Sequence, residues 1–286
     1  SNRERVISDH FTDRAMKIML FPTDFSDRAN RALIEVGAFA KEFKTKIIVY
    51  HVYHQPFIKT DLSIHMAGLL ENMERGLDKT FNNFLQENPE FETIDYEFRK
   101  ERGLSVEKII QTVQNGNIDL ICMATKGAQS FGEFWGTKTA KIVKSVNVPT
   151  LVIPDNTNLT EMGKVGLICD YSQKADYHSL DFLSSIIDNL NLEADVITLN
   201  CDERNMTGSE KGYLQLVRKK LKNVPTTFHF VSDNDVERGV IEYCKKNDIG
   251  LVAILHKKYN FLVELFHESL TKKMTFRSHI PLLVLK

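Results

Sequence analysis

Doubly wound parallel α/β folding, run through twice along one chain, is the fold class this sequence predicts, and three observations predict it. A segment recurs: residues 17–26 read KIMLFPTDFS and residues 164–172 read KVGLICDYS. Both copies lead into a helix-like stretch and then a strand-like run, IIVYHV at 47–52 and ADVITLN at 194–200. The halves also close alike, with NVPTLVIP at 147–154 and HIPLLVLK at 279–286. A repeat of roughly 140 residues is domain-sized and too long for a solenoid unit. Finally, most of the strand-like runs are apolar throughout, as strands are when helices cover both faces of a parallel sheet.

The elements follow in order. KIMLFPT at 17–23 is a buried strand, too short for a helix and bounded by Pro22. Ser26 caps a helix whose apolar positions Ala29, Leu33, Val36, Ala40 and Phe43 recur every three or four residues. Residues 46–52 form a second buried strand, a loop with Pro56 follows, and a long helix covers about 60–87, before Asn88 and Pro89. TIDYEFR at 93–99 alternates like a half-exposed edge strand. Gly103-Leu104-Ser105 opens a helix to about 115–116, IDLICMAT at 118–125 is the most apolar strand, and a Gly-containing loop, a helix over 136–146 and PTLVI at 149–153 finish the unit. The second half repeats the scheme: strand 164–169, helix 173–190, strand 194–200, helix 208–222, strand 226–232, helix 234–247, strand 249–255, a loop, a helix, and strand 281–285. Three parts result: an N-terminal extension (1–15), a first domain (16–154) and a second (164–286), with the polar, turn-rich DNTNLTEMG at 155–163 between the domains.

Composition removes several function classes. The 37 basic and 38 acidic side chains leave a net charge of −1 with no long run of either sign, so no footprint for nucleic acid is expected. The apolar runs are short and broken by charges, which argues against a membrane span, and the polar first 15 residues lack a secretory pattern. A cytoplasmic protein is expected. Cys122, Cys169, Cys201 and Cys244 have no paired short spacing and read as reduced, mostly buried thiols. His51 and His54 are the one close histidine pair; with no Cys or carboxylate to complete a set, no metal site is expected.

In such a fold ligands bind beyond the carboxyl ends of the strands, where strand order reverses. In the first half that place holds Pro22, Thr23 and Asp24 after the first strand, and Ala124-Thr125-Lys126-Gly127 after the fourth. Gly136 and Thr137 follow at a helix start, where a glycine backbone and a hydroxyl beside unpaired N–H groups suit a phosphate. Neither GxGxxG nor the Walker loop is present.

PTDFS at 22–26, HV at 51–52, MATKG…GTKT at 123–139 and VPTLVIP at 148–154, taken in order, resemble the universal stress protein family in its tandem form. The resemblance implies five-stranded sheets of order 3-2-1-4-5 that pair through their fifth strands, and a switch-point site that binds ATP in some members. It carries the site to Pro22, Thr23, Asp24 (nucleoside), Val52 (backbone to adenine), Met123 (flanking the base), Ala124, Lys126, Gly127, Gly136 and Thr137. Two departures stand out. Ala124 replaces the first glycine of the family loop, and eight residues separate Gly127 from Gly136 where the family has nine. If position 124 required positive φ, the methyl would cost about 1 kcal/mol. Gly132 could compensate for the shorter loop, and Lys126 could add favourable charge.

The equivalent segment of the second half, 255–273, has no glycine, and counting back from Pro281 sets Glu268 where Gly136 stands and Ser269 where Thr137 stands. A carboxylate about 4 Å from a phosphate charge costs about 4 kcal/mol at an effective dielectric near 20. That half therefore reads as degenerate. Lys257 and Lys258 read as a solvated loop, Phe131, Phe134 and Trp135 as packing over their loop, and Asp170 as a loop brace.

The expected function is a non-enzymatic stress-response protein that binds ATP or AMP in its first domain, with no metal beyond nucleotide-bound Mg. The alternatives are a slow ATPase or adenine-nucleotide hydrolase, although no SGGxDS-type loop follows the first strand, and a ligand-free interaction scaffold. PTLVI and PLLVL are short apolar edge strands that would aggregate if left bare. Antiparallel pairing of 151–153 with 282–284 would cap both and make a monomeric pseudo-dimer, homodimerisation being the other option. The proline opening each strand suits a first strand residue, which needs no N–H there.

Overall fold

The computed structural model describes residues 16–54, 63–125, 137–171, 179–199, 203–231, 236–255 and 280–286. The first half contains β1 (Ile18–Pro22), α1 (Asp27–Phe43), β2 (Lys46–Tyr53), α2 (Ser63–Glu87), β3 (Tyr96–Arg102), α3 (Ser105–Asn115), β4 (Leu120–Ala124), α4 (Thr137–Ser145) and β5 (Thr150–Ile153). The second half contains β6 (Lys164–Cys169), α5 (Leu180–Asn189), β7 (Glu193–Leu199), α6 (Gly208–Lys220), β8 (Thr226–Val231), α7 (Val236–Lys246), β9 (Ile249–Leu255) and β10 (Leu282–Leu285). All ten strands join one sheet in the order β3-β2-β1-β4-β5-β10-β9-β6-β7-β8. Each half thus has the order 3-2-1-4-5, and every pairing within a half is parallel.

The halves meet at an antiparallel seam in which Leu282 faces Val152, Leu283 faces Leu151 and Val284 faces Thr150. This is the pairing expected from the two apolar edges. Pro149 and Pro281 precede their strands and act alike. Each lacks an N–H but offers its carbonyl to the neighbouring strand, Pro149 to the Ile121 N–H and Pro281 to the Val252 N–H, both at 3.0 Å. Leu151, Ile153, Leu283 and Leu285 from the seam belong to the same buried cluster as Phe21, Leu33 and Phe39 in the first half and Leu167, Leu183 and Val196 in the second. One apolar layer therefore runs across the join. The opposite face of the first half packs under α3 and α4 through Ile109, Val113, Ile142 and Val146. Because β10 runs against β5, the carboxyl ends of the two parallel sets open on opposite rims of the sheet.

Local chemistry explains the element boundaries. Ser26 is extended (φ −65°, ψ 155°) and its hydroxyl accepts the Ala29 N–H, capping α1, while Lys44 ends the helix in a left-handed conformation (φ 50°). Thr207 and Glu210 form a reciprocal capping box on α6. β3 begins three residues later than the alternating pattern suggested, because Pro89–Thr93 closes a 3-10 turn before the chain extends. The predicted helix at 173–190 is seen as Leu180–Asn189, with 172–178 outside the described residues. Between β6 and β9 the register shifts by one residue beside Lys164 and Val165. At this bulge a side-chain carbon on Gly250 would meet the Met162 carbonyl oxygen at 1.8 Å, so only glycine fits. Among the described residues no helix is long and apolar enough to cross a membrane.

Candidate functional site

The cleft is made where β1 stops and β2 continues. The last pair of that ladder is Pro22 with Tyr50, and one further bond runs from the Thr23 N–H to the Tyr50 carbonyl at 2.9 Å. In a strand, successive residues turn their backbone groups to opposite sides. Tyr50 faces β1, and the Tyr53 carbonyl faces β3, where it accepts the Gly103 N–H at 3.0 Å. Val52 therefore directs its N–H and C=O toward the β1 side, beyond the point at which β1 has ended. The backbone past Pro22 turns away sharply: Thr23 Oγ1 accepts the Phe25 N–H at 2.9 Å, and Phe25 adopts a left-handed φ of 56°. That conformation is costly for a bulky residue. Ring packing holds it there, with His51 stacked at 5.3 Å and Phe98 edge-on at 5.7 Å.

A cavity of about 280 Å³ fills this gap and is bounded by α1, α3, α4 and the ends of β1, β2 and β4. Pro22, Thr23, Asp24, Val52, Met123 and Ala124, six residues singled out in the sequence, all line it. Lys126, Gly127 and Gly136 lie outside the described residues; Thr137 is the first residue of α4. Ala124 ends β4 and is absent from the left-handed residues, so its methyl carries no conformational penalty. Glycine at that position is thus not a backbone requirement of this chain.

Sequence reasoning had not assigned Arg28, His54, Ser105, Lys138 or Thr139 to the cavity, which they also line. Arg28 and Lys138 each lie in the first turn of a helix that opens at the switch point, a position they share with other solvated polar residues. Asp24 is exposed, and its Oδ1 accepts both the Ser26 N–H (3.0 Å) and the Ser26 hydroxyl (2.7 Å). Partial burial works against its ionisation, yet the Ser26 donors and the nearby Arg28 hold its carboxyl below the usual range. His51 Nδ1 lies 2.8 Å from the Thr23 carbonyl, which makes it the protonated nitrogen. Burial lowers the pKa of this ring, against the pull of that carbonyl and of Asp24, so the imidazole is neutral near pH 7. The floor is Tyr50, whose hydroxyl donates to Glu101 and accepts from Thr112 at 3.1 Å; burial and Glu101 push its pKa up to about 12. Among the described lining residues one carboxylate, Asp24, stands against two cations, Arg28 and Lys138.

Matching the strand registers identifies the second half's counterparts. Pro22 pairs with Tyr50 as Ile168 pairs with Ile197, and Met19 with Leu120 as Val165 with Leu251. Asp170 then stands for Asp24, Thr198 for His51, Ile254 for Met123 and Leu255 for Ala124. The acid is kept, but aliphatic side chains replace Pro22, Tyr50 and the small Ala124. The segments carrying Lys257, Lys258, Glu268 and Ser269, like Phe131, Phe134 and Trp135 of the first half, fall outside the described residues. Cys122, Cys169 and Cys244 are buried free thiols. Among the described residues no cluster of His, Cys, Asp or Glu could hold a metal ion.

Known proteins share these features, by sequence in the first half and by fold along most of the chain. Residues 16–154 match the universal stress protein family. The chain is 29% identical over 152 residues to universal stress protein MJ0577 of Methanocaldococcus jannaschii, an alignment covering 48% of this chain and 94% of that protein. In three dimensions it is similar to a universal stress protein from Archaeoglobus fulgidus, with a TM-score of 0.71 at 16% identity over 96% of this chain and 99% of the other. It also resembles PA1789 from Pseudomonas aeruginosa, a protein of unknown function, with a TM-score of 0.58 at 13% identity over 95% and 93% of the two chains. The second half repeats the topology of the first, and residues 16–154 are a universal stress protein domain.

Proposed function

We propose that the first half binds an adenine nucleotide, ATP or AMP, in the cavity between β1, β2 and β4, and that the protein acts as a non-enzymatic cytoplasmic stress-response module. The observation that carries this reading is the Val52 backbone, aimed past the end of β1 into a cavity whose far side is cationic. An N–H beside a C=O matches the acceptor and donor edge of adenine, and Met123 offers an apolar flank for the base. Asp24 is within the same cavity to accept from ribose hydroxyls. Phosphates would run toward Arg28, Lys138 and the start of α4, with Gly127, Gly136, Thr137 and Lys126 as further contacts implied by the family pattern. Any Mg would arrive with the nucleotide. In this reading the half from residue 164 onward is ligand-free, since bulkier aliphatic groups occupy the equivalent positions.

Calorimetric titration with ATP, AMP and adenosine tests the proposal. One site per chain, weakened by Asp24→Ala, is expected; two equivalent sites, or none at millimolar ligand, overturns it. Non-enzymatic action is read separately, by chromatography after prolonged incubation with ATP: product formation that depends on Asp24 would show an enzyme instead.

A further inference from the structure

We infer that Arg28 is the residue that reads the phosphate charge of the ligand, and that it does so by exchanging Asp155 of the interdomain segment for the ligand. The inference rests on the nucleotide reading of the cavity and names the residue that makes it selective. Arg28 lines two adjoining cavities at once. One is the cavity of about 280 Å³ at the switch point. The other, of about 170 Å³, lies between α1 and the segment after β5 and is lined by Arg31, Glu35, Pro154 and Asp155 as well.

In that second cavity two guanidinium groups share one carboxylate, and they share it unequally. Arg31 donates to Asp155 Oδ1 at 3.0 Å, a full hydrogen bond. Arg28 Nε stands 3.5 Å from Oδ2, too long to satisfy it. That Nε is buried and has no hydrogen-bond partner among the described residues. An unsatisfied buried donor is costly, and a charged one more so. Asp155 would keep Arg31 if Arg28 left, so departure forfeits only a long ionic contact. A phosphate in the first cavity would supply the short, charge-assisted acceptor that Arg28 lacks. Asp24, the acid of that cavity, already accepts from the Ser26 N–H and hydroxyl through Oδ1. Phosphate binding is thereby linked to the segment that joins the halves.

The test is titration of the full chain with ATP, adenosine and inorganic triphosphate, for the wild type, Arg28→Gln, Asp155→Asn and the double variant. Arg28→Gln is expected to weaken ATP and triphosphate about tenfold or more, leaving adenosine unchanged. Asp155→Asn, which removes the competitor, is expected to tighten ATP severalfold, and to do nothing once Arg28 is gone. Equal losses for ATP and adenosine would make Arg28 merely structural and overturn the inference, as would weaker ATP binding by Asp155→Asn. Unfolding midpoints without ligand separate misfolding from lost affinity; Arg28→Lys, which keeps the charge and the fold, should recover part of the ATP affinity. If the wild type binds triphosphate through Arg28 but not adenosine, the nucleotide reading fails and the role of Arg28 stands. If it binds none of the three, both fail.

Discussion

Phe25 shows what a residue can be asked to bear beside a ligand cavity. Its left-handed backbone turns the chain off β1 and opens the space in front of Val52, and its ring is clamped by His51, Phe81 and Phe98. No propensity in PTDFS predicts an aromatic residue there, because the conformation is imposed by packing partners distant in sequence. His51 was legible as part of the HV motif and of a histidine pair; its neutral ring, fixed on the Thr23 carbonyl, depends on burial that one sequence does not display. Since burial holds its folded pKa below the ordinary 6.5, the neutral form is the one the fold favours. The stability it contributes is present above pH 6.5 and lost as pH falls below that value. Denaturant titrations across this window should show the wild type losing more stability than His51→Gln, so that the difference between them changes as pH falls below 6.5; an unchanging difference would remove His51 as the cause. Gly250 belongs to the same scale. Adding a methyl drives it into the Met162 carbonyl, so Gly250→Ala should cost about 2–3 kcal/mol in chemical denaturation.

Elements were the most legible level, and where they were missed the cause is local. The apolar runs identified the strands because a parallel sheet under helices buries both faces of each, and Ser26 marked the start of α1 through its own cap. The start of β3 was misplaced because Pro89 leads a 3-10 turn whose residues also alternate. The cavity lining supplied by helices escaped for a different reason. Arg28, Ser105 and Lys138 are polar residues in first turns, and nothing in a single sequence separates them from other solvated positions. Ser26 ties element to site, since it caps α1 and holds Asp24. Ser26→Ala should cost about 1 kcal/mol of stability and also alter nucleotide affinity by freeing the carboxylate. Ser26→Asp should keep the cap and, by repelling Asp24, lower affinity with a smaller stability loss; parallel unfolding and binding curves check both.

At the scale of the molecule the seam decides cooperativity. Leu283 is buried, opposite Leu151, within the layer common to both halves. Leu283→Ala should cost about 3 kcal/mol and lower the unfolding of both halves together, seen as one calorimetric transition that shifts without splitting. Residues 16–154 expressed alone would expose β5, and light scattering should find a dimer. The opposed directions of the two strand sets also govern the path of the segment at 155–163. It leaves β5 and enters β6 on the same rim, crossing only the width of β10 and β9, about 14 Å at the usual strand spacing. Nine residues reach roughly 30 Å when extended, so there is slack to fold inward, and Leu159 takes it by donating its N–H to Glu35 on α1 at 2.9 Å. A pair of separate subunits would present two identical mouths. Fusion through this segment gives one mouth a neighbour that the opposite rim lacks, so covalent joining alone makes the molecule directional.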